Sequence, residues 1–128
     1  MSKESVGAIP GTTRVLRLEA AAALLVAVVF YQVSGLSWWL FAIMFLVPDL
    51  SMLGYLAGAE KGALVYNAVH SYFGPLVLGA ASFASGGSIG WAIAIVWFAH
   101  IACDRMLGFG LKDTTGFQST HLGRIGRR

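Results

Sequence analysis

Four carboxylate or imidazole side chains in this 128-residue sequence lie well inside otherwise apolar stretches: Asp49, His70, His100 and Asp104. His100 and Asp104 are four residues apart, so on a helix they stack on one face, one turn from each other. An imidazole and a carboxylate so placed can share a metal ion, relay a proton, or bond each other. Asp49 follows Pro48, and His70 precedes Ser71, in two other apolar runs. Two carboxylates and two imidazoles supply four N/O donors, a set that suits Zn²⁺ and also Mn²⁺ or Fe²⁺. With one open position such an ion can activate water against an ester or phosphoester. The plainer reading is an intrahelical His100–Asp104 hydrogen bond, with Asp49 paired to Arg105.

The elements that must position these groups read as membrane spans. The composition is 57% hydrophobic and 12% charged, and mean hydropathy is +0.72; a soluble domain is about one-quarter charged. Four apolar runs of about 20 residues each, the length a bilayer core requires, lie at 15–33, 37–57, 63–83 and 89–107. Residues 1–13 read as a flexible polar tail, 14–111 as a four-span transmembrane bundle, and 112–128 as a basic tail containing His121. The fold class expected is an all-α, integral membrane, antiparallel four-helix bundle. Pro48 and Asp49 interrupt the second run, and Gly74-Pro75 predicts a kink in the third. Trp38-Trp39 suits a membrane–water boundary. The single cysteine, Cys103, excludes an internal disulfide, and no cleavable leader is expected.

The basic residues give the orientation. Lys3, Arg14 and Arg17 precede the first run, Lys61 joins the second to the third, and Arg105, Lys112, Arg124, Arg127 and Arg128 lie at or beyond the end of the fourth. All fall on one side, which the positive-inside rule makes cytoplasmic. The expectation is a multi-pass protein of the bacterial inner membrane with both termini cytoplasmic. At about 1.5 Å per residue, Asp49, His70, His100 and Asp104 then share one layer in the cytoplasmic half of the bilayer. A carboxylate there costs at least about 2.5–3.5 kcal/mol unless it faces the bundle interior and finds a partner.

Other residues take supporting roles in this reading. Tyr66, one turn before His70, can orient it; Asn67 can bridge helices; Arg105 and Lys112 can hold an anionic group. Glu19 reads as an interfacial partner of Arg14 or Arg17. The small-residue runs at 20–23 and 79–81 suit contacts within the bundle or between copies, so a homo-oligomer is an open expectation. The lipid bilayer is the expected surrounding, and no nucleic-acid partner is expected.

The stretches Val47-Pro48-Asp49-Leu50-Ser51, Tyr66-Asn67…His70, Ala99-His100…Asp104-Arg105 and Thr120-His121-Leu122-Gly123 resemble a family of small bacterial four-span membrane proteins of unknown function. A looser likeness is to the predicted membrane-bound metal-dependent hydrolases of the LexA-regulated type, through Pro48-Asp49, His70-Ser71 and His100-x-x-x-Asp104. That likeness implies metal ligation by Asp49, His70, His100 and Asp104; Tyr66, Asn67 and Arg105 are expected to surround the site or contact substrate. The chain departs from it at Ser51, where a second acid is usual, and at Tyr66-Asn67, where His-Arg is usual. The leading expectation is a metal-dependent hydrolase acting on a lipid or amphiphilic ester or phosphoester from the cytoplasmic side. The alternatives are a non-enzymatic protein that binds or conducts an ion or proton, and a purely structural subunit.

Overall fold

A computed structural model describes residues 11–112 and the short pairs 119–120 and 123–124. The expected tails therefore lie largely outside the described residues, and His121 lies wholly outside them. The fold is all-α: α1 (Thr12–Ser34), α2 (Trp38–Leu46), a 3-10 segment (Val47–Ala57), α3 (Ala59–Val69), α4 (Phe73–Ser85) and α5 (Ser88–Leu107). Past them, β1 (Ser119–Thr120) pairs antiparallel with β2 (Gly123–Arg124), Ser119 opposite Arg124. Among the described residues, three helical stretches are long and apolar enough to cross a membrane: Thr12–Ser34, Trp38–Ala57 and Ser88–Leu107.

Local chemistry sets the boundaries. Gly35 and Gly86 end α1 and α4 in the left-handed conformation, which glycine enters without a Cβ penalty. Ser37 starts α2 by accepting a hydrogen bond from the Trp39 amide at 3.2 Å, a side-chain N-cap. Pro48 has no N–H to return to the preceding turn. The chain tightens there from α into the 3-10 form and keeps it for eleven residues, long for that geometry.

The third apolar run is broken in two, and the break falls earlier than the kink expected at Gly74-Pro75. α3 ends at Val69, His70 caps it at φ −98°, ψ 14°, and α4 begins at Phe73. The reason is Pro75. It sits in the first turn of α4, where a helix does not need its N–H, so the new helix starts just before it. The run is thus two half-length helices rather than one continuous span.

α5 is the central element, packed along α1 and α4 and touching α2, while α3 packs on the 3-10 segment. Small residues permit the close α1–α5 approach: Ala27, Ala92 and Ala99 are buried around Tyr31, Ile95 and Val96. The Tyr31 hydroxyl donates to the Ser37 carbonyl at 2.6 Å. At α3, a Cβ on Gly62 would strike the Tyr55 ring and backbone, so only glycine lets α3 lie against the 3-10 segment. Leu18, Leu25, Phe73 and Phe83 are among many large apolar side chains left exposed, an apolar surface far larger than a soluble monomer shows.

Candidate metal centre

The break after α3 fixes His70. A helix end leaves its last carbonyls without partners, and α5 supplies two. Trp97 Nε1 donates to the Val69 carbonyl at 2.7 Å, and Arg105 Nη2 donates to the His70 carbonyl at 3.2 Å. The imidazole of His70 turns its Nδ1 to the Tyr66 carbonyl at 3.0 Å. A carbonyl only accepts, so Nδ1 carries the proton and Nε2 is left as a bare lone pair. Ser51 Oγ spends its own hydrogen on the Pro48 carbonyl at 2.7 Å and presents its oxygen to the same Nδ1 at 3.4 Å.

Asp49, His70, His100 and Asp104 converge, with one donor atom from each within 4.8 Å of all the others. His100 Nε2 stands 3.2 Å from His70 Nε2, 3.3 Å from Asp49 Oδ1 and 3.4 Å from Asp104 Oδ2. His70 Nε2 is 3.7 Å from Asp49 Oδ1 and 3.6 Å from Asp104 Oδ2. These are five edges of a tetrahedron. Zn²⁺ with N/O donors at about 2.0–2.2 Å requires tetrahedral edges of about 3.3–3.6 Å. These five edges span that range and all four atoms lie within 4.8 Å of one another, so the donor set could hold a single ion.

Proton counting points the same way. With the His70 proton on Nδ1, three acceptor atoms meet at one point with at most one N–H, that of His100. His100 Nδ1 is buried without a hydrogen bond of good geometry, although the Phe45 backbone interacts with the ring. If the His100 proton sits on Nδ1, four acceptors meet with no donor among them, an arrangement that a bound cation or a proton on one carboxylate reconciles.

The environment is asymmetric. The two imidazole side chains are 2–3% exposed, Asp104 20% and Asp49 41%, so the cluster opens on its carboxylate side. Behind it run rings. Phe41, Phe45 and His100 form a ladder with spacings of 5.6 and 5.0 Å. Tyr66 stacks on His70 at 3.8 Å and 9°. Asn67 reaches past α5 to the segment beyond it: Asn67 Nδ2 donates to the Lys112 carbonyl at 2.6 Å, and the Lys112 amide donates to Asn67 Oδ1 at 2.7 Å. This two-bond clamp lays the Lys112 ammonium over the Tyr66 ring, 4.7 Å from its centroid. Burial lowers the Lys112 pKa, and Asp104 partly offsets that.

Of the residues singled out in the sequence, the structure thus brings together Asp49, His70, His100 and Asp104, places Tyr66 against His70, and puts Asn67 on Lys112. Arg105 bonds the His70 carbonyl and lies over the Tyr72 ring, 5.8 Å from its centroid. Arg17, considered for Glu19, instead donates Nε to the Met106 carbonyl at 2.7 Å. Trp97, the approach of Ser51 to His70 and the buried placement of Lys112 were not legible, although the back-bond of Ser51 to its own helix was; only the apolar setting of a lone indole one turn before His100 hinted at the first.

Residues 13–125 match the family described as a domain of unknown function, DUF4260. The chain belongs to the DUF4260 family. No curated protein and no solved structure matches it.

Proposed function

We propose that this DUF4260 protein is an integral membrane metalloprotein that crosses the bilayer four times, counting the broken third run, with both termini cytoplasmic. Asp49, His70, His100 and Asp104 hold one divalent ion, Zn²⁺ by fit, and the protein hydrolyses an ester or phosphoester of a lipid or other amphiphile. The observation that carries the metal site is the convergence of four donor atoms within 4.8 Å of one another, five of their six separations being 3.2–3.7 Å. Hydrolysis rests on the exposed carboxylate edge and on the likeness of Pro48-Asp49, His70-Ser71 and His100-x-x-x-Asp104 to the predicted membrane-bound hydrolases.

A dication bound there supplies Lewis acidity, acidifying water and polarising a carbonyl or phosphoryl oxygen. The protein's own groups do the rest. Asp49, the more exposed carboxylate and the one carried on the 3-10 segment, would be the ligand nearest substrate and the base that takes the proton from the attacking water. Asp104 and the two buried imidazoles stay fixed. Tyr66 and the Tyr66 carbonyl hold the orientation of His70, and Arg105 and Lys112 offset negative charge on the substrate. A second reading has its own support. Four protein donors already complete a tetrahedral shell, as in sites that hold an ion without turnover.

Elemental analysis of the purified protein, followed by turnover assays on lipid esters and phosphoesters, separates these. About one equivalent of zinc, lost in His100→Ala, with hydrolysis abolished by chelation and restored by zinc, supports the enzyme. Stoichiometric metal without turnover on any of these substrates supports the ion-binding reading. Protein that stays metal-free in excess zinc, manganese and iron overturns both.

A further inference from the structure

α1 and α4 both pack on α5 and scarcely touch each other. The space between them is a groove floored by α5, made of two cavities of about 390 and 400 Å³ that share Leu76 and Phe98. One end is polar, with Glu19 on α1 and Arg105 and Tyr72 opposite. From there the lining is apolar through Ala23 and Phe98 to Phe30 and Trp91. On α5 the lining runs from residue 105 to residue 91, about 21 Å at 1.5 Å per residue. That exceeds the roughly 15 Å half-thickness of a bilayer core, so a whole acyl chain fits.

We propose that this groove binds one aminophospholipid, with its acyl chain between α1 and α4, its phosphate on Arg105 and its ammonium on Glu19. The charge pattern selects the occupant. A guanidinium takes a phosphate, and a carboxylate across the same groove end takes a primary ammonium. A purely anionic headgroup meets Glu19 as a like charge, and a quaternary amine offers it no N–H. The groove end lies where the start of α1 meets the end of α5, joined by the Arg17–Met106 hydrogen bond. Arg105 also holds the His70 carbonyl, so the bound headgroup stands one residue from the candidate metal ligands. Binding itself needs no metal; that this lipid is the hydrolase's substrate rests on the function proposed above.

Trp91, in the groove wall, reports occupancy. Micellar full-length protein is titrated with phosphatidylethanolamine, phosphatidylglycerol and phosphatidylcholine carrying the same brominated chains. Quenching due to Trp91 is the part lost in Trp91→Phe. Expected are about tenfold tighter quenching by phosphatidylethanolamine than by either other lipid, a similar loss in Arg105→Gln, and a vanished preference over phosphatidylglycerol in Glu19→Gln. Ala80→Phe, which fills the cavity beside Trp91 and does not line the polar end, abolishes Trp91 quenching. Equal quenching by all three lipids in the native protein means non-selective surrounding lipid and overturns the proposal. So does a Trp91 that no lipid quenches, the result if a second copy or the chain's own tail covers the groove. The same titration on chelated protein is expected to be unchanged, so failure of the metal site and failure of the lipid site are read separately.

Discussion

Lys112 lays its ammonium on one face of Tyr66 while His70 covers the other, so a cation and a candidate ligand sandwich a single phenol ring. The ring holds the imidazole plane, and the Tyr66 carbonyl holds its tautomer. Tyr66→Leu keeps the carbonyl and loses the stack; zinc affinity, measured by competition with a chelating dye, is expected to fall about 10–100-fold, the usual cost of removing support behind a ligand. Tyr66→Phe keeps the stack and is expected to change little. The same assay between about pH 7.5 and about pH 5.5 is expected to show affinity falling as pH falls, because both imidazoles must shed their protons to ligate. Pairing of Asp49, His70, His100 and Asp104 was legible in the sequence because each is a polar intruder in an apolar run. The Lys112 sandwich was not, since it depends on residues 46 positions apart in the chain meeting through Asn67.

Asp49 and His70 owe their places to interruptions of their elements, while His100 and Asp104 lie on the unbroken α5. Pro48 turns the second span into a 3-10 segment and carries Asp49 with it, while Gly62 lets α3 lie beside that segment. Gly62→Leu is expected to drive α3 off the Tyr55 ring, cost about 1–3 kcal/mol as overpacking, and lower zinc affinity by separating Asp49 from His70; thermal unfolding and dye competition read the two effects. Trp97→Phe preserves the bulk but strips a donor from the Val69 carbonyl, with an expected loss of about 1–3 kcal/mol. Four apolar runs and their turns near Gly35, Gly58 and Gly86 were readable from hydropathy and glycine placement. The position of the break in the third run was not. Proline announced a disruption, but its preference for the first turn of the following helix moved that disruption back onto His70.

At the scale of the molecule, the basic residues predict where each connection lies. In a Cys103→Ala background, single cysteines replacing Ser34 and Ser85 are expected to react with an impermeant maleimide from outside intact cells, and one replacing Ala59 only after lysis. The reverse pattern would invert the protein. In the proposed topology α3 and α4 together make a crossing, each about half a bilayer long, and His70 is the joint between them. An ion gripped by His70 is therefore gripped at a hinge pin. A thicker or thinner host membrane changes the angle at which two half-rods meet, and through that angle the spacing of the ligands. The protein's hold on zinc should thus track the acyl length of the lipids around it, making the centre a gauge of the sheet in which it is embedded.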